Sequence, residues 1–65
     1  MKHHPLKLWR EAEGLTQDEA AREFGVTIQC WRQWEYGQAI PHRLKMRPVT
    51  KRTGVTADAI YAAAS

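Results

Sequence analysis

The stretch from Thr16 to Gly37, TQDEAAREFGVTIQCWRQWEYG, decides the fold, because it holds the signals for two short helices and the turn between them. Thr16 is a typical helix N-cap residue, and Glu19 three positions later completes a capping box. Gly25 is placed to end this helix, which is therefore predicted over about residues 17–24. Apolar residues at helical spacing form its inner face: Ala20, Ala21 and Phe24.

The second helix of the stretch is predicted over about residues 28–36. Thr27 is its N-cap, Gly37 ends it, and Trp31 and Trp34 are its inward positions. Small residues in the first helix and a glycine in the turn allow the two helices to cross closely. This is the pattern of a helix-turn-helix, in which the second helix enters the DNA major groove.

Two further helices are predicted outside this pair, one at each end of the chain. Pro5 suits the first position of a helix that ends at Gly14, and Thr56 is the N-cap of a last helix over about residues 57–64. Residues on one face of the first helix form a set: Leu6, Trp9, Arg10 and Glu13.

Between the helix-turn-helix and the last helix, another helix, the fourth in chain order, is predicted within residues 42–53. It follows a connector over residues 38–41, in which Ile40 is expected to contact the core. Pro48 conflicts with this helix, because an interior proline removes a backbone hydrogen bond and costs roughly 3 kcal/mol. Either the helix begins late, with Pro48 in its first turn, or it is kinked there, and we favour the late start. The inward candidates of this helix are Leu44, Met46 and Val49.

Length and composition indicate a single small domain over residues 1–65. At this size folding buries roughly 60% of the unfolded chain's surface, so the core has little surplus stability. Cys30 is the lone cysteine, which excludes an internal disulfide, and metal-ligand spacing is absent, so no metal or cofactor is expected. No apolar run is long enough for a membrane span and no signal peptide is recognised, which favours a reducing cytosol.

Charge is unevenly distributed along the chain. Ten Lys and Arg stand against seven Asp and Glu, for a net charge of +3. Residues 42–52 contain no acidic residue and five basic ones. Such a block beside a helix-turn-helix suits a phosphate backbone, and a solvated loop face is the alternative. The basic residues of the block are Arg43, Lys45, Arg47, Lys51 and Arg52.

Three ordered motifs resemble the Cro/cI-type (XRE-type) helix-turn-helix domain: R-x-x-x-G-L-T-Q at residues 10–17, A-A-x-x-F-G-V-T at residues 20–27, and W-E-x-G at residues 34–37. The tail, I-P at residues 40–41 and T-G-V-T at residues 53–56, is similar to short phage Cro repressors and to Cro-like antitoxin regulators.

The resemblance implies an all-α, lambda-repressor-like bundle of five helices with a central helix-turn-helix, often dimeric, that binds a pseudo-palindromic operator. The chain departs from the family at Pro48, where an uninterrupted helix is usual, and at Ala20, where a large aliphatic residue is usual. We expect the three tryptophans to fill the volume that Ala20 leaves.

The predicted base-reading residues lie on the outward face of the second helix of the motif, if the tryptophans face inward. A glutamine amide can bond adenine N6 and N7, and Arg32 suits guanine O6 and N7. Gln29 and Gln33 are one turn apart, so both can reach one groove wall. The matching positions supply base contacts in the resembling proteins, and a merely solvated face is the alternative. They are Thr27, Ile28, Gln29, Arg32 and Gln33.

Phosphate contacts are expected from residues around that helix, and they would set register and affinity without reading sequence. They are Gln17, Tyr36, Gln38, Arg43 and Lys45.

Arg10 and Glu35 match a structural ion pair of the family. His3 and His4 are interpreted as disordered or phosphate-adjacent residues, and His42 as a solvated loop residue.

The predicted function is a double-stranded DNA-binding regulator that represses by occupying its operator, without small-molecule substrate or membrane. A weak homodimer through the last helix is expected, with Ile60, Tyr61 and Ala64 as contacts. The alternative is an antitoxin-type regulator that also binds a protein partner. An enzyme is disfavoured, because no catalytic constellation is recognisable.

Overall fold

A computed structural model describes residues 3–64, and within this span every regular element is a helix. The predicted all-α class is therefore confirmed. Five helices follow one another along it: α1 (Pro5–Ala12), α2 (Gln17–Glu23), α3 (Ile28–Glu35), α4 (Arg43–Thr53) and α5 (Ala57–Ala63). None of them is long and apolar enough to cross a lipid bilayer.

Threonine N-caps explain why three of the helices begin where the sequence predicts. The hydroxyls of Thr16, Thr27 and Thr56 each accept a hydrogen bond at 3.1 Å from the backbone N–H three residues later. At α2 the capping box is complete, because Glu19 accepts from the Thr16 N–H at 2.9 Å. Gly25 then turns the chain toward α3 with φ +68°, a conformation that glycine adopts without steric cost.

The core is built around Trp31, which is fully buried at the centre of an aromatic cluster. The Phe24 ring stacks on it with centroids 5.6 Å apart, and Trp9 and Trp34 lie at 6.2 and 5.7 Å. The packing places α2 and α1 against α3, with α5 against α1. The tryptophans thus contribute to the core as expected, beside the small Ala20.

His4 corrects one expectation, since it is a buried helix cap and not a disordered or phosphate-adjacent residue. Its side chain is buried, and its Nδ1 accepts a hydrogen bond at 3.0 Å from the Leu6 N–H, which caps α1. Burial lowers the pKa of the His4 imidazole below its ordinary value, and the charge of Glu35 offsets this only in part. The chain therefore favours the neutral ring, the form that can accept the N–H.

Acid should accordingly weaken the fold. Because the folded pKa of His4 is lowered, the unfolded chain binds the proton more readily, and stability falls as the pH drops below about 6.5. Urea unfolding between about pH 7.5 and about pH 5.5 measures this loss. His4→Asn keeps a capping acceptor that does not titrate, so its stability should change less over the interval. Equal losses in both proteins would contradict the assignment.

The fourth helix corrects the expectation of a late start. It begins at Arg43 because His42 caps it: the His42 Nδ1 accepts from the Leu44 N–H at 3.2 Å, and its carbonyl accepts from the Met46 N–H at 2.7 Å. Pro48 is therefore inside the helix rather than in its first turn. The Pro48 ring is exposed. Pro48 has no N–H to donate to the Leu44 carbonyl, but the Leu44 side chain is exposed as well, so water can reach that side of the helix.

Two predicted core contacts are wrong. Leu44 leaves 74% of its surface exposed, while Val49 is buried and Met46 packs against the core. Ile40 is exposed too, and the connector is held instead by Pro41, which is buried, and by Ala39. Val49 lies on the buried side of α4, and Leu44, five residues earlier, lies on the exposed side.

Candidate nucleic-acid interface

Helix α3 has one buried and one water-facing side. Trp31, Trp34 and Glu35 are buried, which fixes the rotation of the helix about its axis. Of the predicted base-reading residues, Gln29, Arg32 and Gln33 lie on the remaining side, whereas Thr27 is the N-cap and Ile28 lies at the edge of the buried side. Thr27, Gln29 and Arg32 are exposed, and Ile28 and Gln33 are partly exposed.

A buried carboxylate supports this helix from behind. The Glu35 side chain is 1% exposed and forms an ion pair with Arg10, with Nε to Oε2 at 2.6 Å. Trp31 Nε1 donates to the same carboxylate, and Gln17 Nε2 donates to Oε1 at 3.2 Å. Arg10 Nη1 also donates to the Leu15 carbonyl at 3.0 Å. The charge is thus paired and its oxygens are occupied, as burial requires.

Gln17, predicted to contact phosphate, lies between this carboxylate and the outward face. Its Oε1 accepts a hydrogen bond at 3.1 Å from Nε of Arg32, one of the predicted base-reading residues. The two residues are 15 positions apart, so this contact depends on the packing of α2 against α3. Local sequence patterns therefore do not predict this hydrogen bond.

The other predicted phosphate ligands divide into free and occupied side chains. Tyr36, Gln38 and Arg43 are exposed to water. Lys45 instead donates from Nζ to the Phe24 carbonyl at 2.9 Å. A cation there suits the negative end of the α2 dipole, so Lys45 also stabilises the end of α2.

The basic block is a helix, not a loop, and its far end has a structural partner. Arg52 pairs with Glu23 at 2.5 Å and with Glu13 at 3.4 Å, and its guanidinium lies 5.1 Å from the Trp9 ring centroid. Hydrogen bonding to Glu23 raises the pKa of Arg52 further. Arg52 therefore ties α4 to α1 and α2. Its acidic partners lie 29 and 39 residues away in sequence, which is why sequence reasoning missed the cluster.

The expected dimer contacts need one correction. Ile60 is fully buried within the chain, because α5 packs this residue into the core, so it cannot contact a second copy. Tyr61 is 55% exposed and Ala64 is partly exposed.

No protein-family model, curated protein or solved structure matched the chain. Within residues 3–64, no three His, Cys, Asp or Glu side chains come together where they could hold a metal ion.

Proposed function

We propose that the chain is a sequence-specific double-stranded DNA-binding regulator with a lambda-repressor-like helix-turn-helix, most simply a Cro-like repressor that occupies its operator. The observation that carries the proposal is the two-sided character of α3. Its inward side is fixed by buried tryptophans, and its outward side presents two glutamines and an arginine. These side chains are the ones that read adenine and guanine in the major groove.

The approach of α3 to DNA needs its outward side to be free of other elements, and Gln29 and Arg32 are both exposed. Arg43 at the start of α4 adds a cation that makes no ion pair within the described residues. A net charge of +3 favours association with a polyanion. Together these features support reading by α3 and phosphate binding by the residues that flank it.

Replacing Arg43 by glutamine tests the phosphate contact. Affinity should fall to a similar extent for all duplexes, and the slope of log affinity against log salt should decrease by about 0.9. Binding titrations at several salt concentrations measure both quantities. Arg22→Gln on α2 is the matched control, because Arg22 is exposed and, within residues 3–64, its ion pair is with Asp18 at 2.8 Å. An unchanged slope in Arg43→Gln would remove Arg43 from the interface.

Leu44 is the proposed contact of a dimer. Among residues 3–64 it is the most exposed large apolar residue, at 74%, and unlike Tyr61 it has no polar group to be hydrated. To match half-sites one helical turn apart, the dyad of such a dimer would have to hold the two α3 helices about 34 Å apart.

Leu44→Gln should therefore weaken binding to a symmetric duplex by at least about tenfold, because the two copies no longer bind the two half-sites as one dimer. Binding to a duplex with a single half-site should be unchanged. Leu8→Gln on α1, where the leucine is 51% exposed, is the control and should behave as the wild type. A loss in Tyr61→Ser with none in Leu44→Gln would place the contact on α5 instead.

A further inference from the structure

Gln17 joins the buried Glu35 to the outward Arg32, and these two partners fix the direction of its amide. The Gln17 Nε2 donates to Glu35 at 3.2 Å, and its Oε1 accepts from Arg32 Nε at 3.1 Å. A carboxylate can only accept hydrogen bonds, and a guanidinium can only donate them. The reversed amide would set oxygen against carboxylate and NH₂ against guanidinium, so a single orientation is favoured.

The anchor of this arrangement is rigid. Glu35 is held by Arg10 at 2.6 Å and by the indole of Trp31, and its side chain is 1% exposed. Trp31 is itself at the centre of the aromatic core. The Gln17 amide nitrogen is therefore held by a carboxylate that is itself fixed in the core, and its oxygen meets Arg32 at the surface.

The contact leaves Arg32 with a defined set of free donors. A guanidinium has five N–H groups, and Gln17 uses the one on Nε. The four on Nη1 and Nη2 remain, and they form the fork that bonds guanine O6 and N7 together. An exposed arginine otherwise loses much rotamer freedom on binding, so holding Nε beforehand lowers that entropic cost.

We propose that Gln17 is a positioning residue for base reading: Glu35 fixes its amide, and its oxygen holds Arg32 so that the Nη fork faces a guanine. The inference rests on the proposed function and assigns Gln17 a role beyond the expected phosphate contact. The two roles can be distinguished by base preference: loss of a phosphate contact leaves the preference unchanged, because such a contact carries no sequence information.

Gln17→Lys separates the two roles. Lysine keeps a donor toward Glu35 and adds a cation that would strengthen any phosphate contact. It removes the acceptor for Arg32 and places a like charge beside it. Asp18→Asn is the matched control, since it also raises the net charge by one, one residue away, and the ion pair that Asp18 forms lies within α2. Gln17→Met, which lacks both hydrogen-bonding groups, serves as the second variant, and thermal unfolding confirms that all are folded.

The probe is the duplex that the wild type selects from a randomised pool, together with its single-base-pair variants. Arg32→Ala identifies the base pair that Arg32 reads. At that pair, Gln17→Lys and Gln17→Met should lose about fivefold or more of the preference for guanine, within the range of one bidentate contact. Asp18→Asn should bind all duplexes more tightly and keep the preference.

Two results would overturn the inference while leaving the proposed function intact. One is a Gln17→Lys protein that binds every duplex more tightly with its guanine preference unchanged, which is the behaviour of a phosphate contact. The other is an Arg32→Ala protein with all base preferences retained. A wild type that selects no sequence would instead remove the proposed function, and the inference with it.

Discussion

Replacing Glu35 with alanine is expected to lower the free energy of unfolding by roughly 3–5 kcal/mol, the usual cost of removing one partner of a buried ion pair. The side chains of Glu35 and Arg10 are 1% and 14% exposed, so the arginine left behind would be a poorly hydrated charge. Gln17 and the Trp31 indole would lose their acceptor as well. For a chain of 65 residues this is a large part of the total stability.

Urea unfolding followed by circular dichroism measures the effect, and Asp18→Ala provides the control. Asp18 also pairs with an arginine, Arg22, but both side chains are at least half exposed, so its loss should cost about 0.5 kcal/mol or less. A double variant with Arg10→Met and Glu35→Leu should be more stable than Glu35→Ala, because no charge is then left unpaired. Similar losses at Asp18 and Glu35 would contradict the structural role of the pair.

Replacing Gln29 with alanine is expected to cost roughly 1–3 kcal/mol of binding free energy at one base pair and to relax the preference there. Gln29 is exposed on α3 and has no side-chain hydrogen bond within the described residues, so its amide is free to bond an adenine. Gln33, one turn later, should give a similar loss at a neighbouring pair. Affinities for a full set of single-base-pair variants of the selected duplex measure both.

Gln38→Ala is the matched control for these variants, because Gln38 is also an exposed glutamine but follows α3 rather than lying in it. Its loss should weaken binding to all duplexes alike, if it contacts phosphate, or leave binding unchanged. A uniform loss in Gln29→Ala would contradict base reading by this residue.

The helices could be predicted from sequence because their signals are local. A threonine and the backbone N–H three residues later determine each of three helix starts, and such pairs are visible in the sequence. The inward side of α3 was equally accessible, since Trp31 and Trp34 follow helical spacing. Histidine caps at His4 and His42 were missed because histidine is not a usual N-cap residue.

The orientation of α4 and α5 was harder to predict because periodicity alone does not choose between two apolar faces. Leu44 and Val49 are five residues apart and cannot share a helix face, and only tertiary packing shows that Val49 is the buried one. Ile60 was expected at an interface and is core, in the helix that packs against α1. The Arg52 cluster and the Gln17–Arg32 contact depend on residues far apart in sequence, so packing rather than pattern determines them.

Selection of bound sequences from a randomised pool of DNA duplexes, at near-physiological salt, tests the central claim most directly. Base reading by α3 predicts enrichment of a defined site, with two half-sites about ten base pairs apart if the chain pairs on DNA. Arg32→Ala should then lose one enriched base pair in each half-site. Binding that selects no sequence and merely weakens with salt would contradict the claim, because it would show a basic protein that contacts phosphates alone.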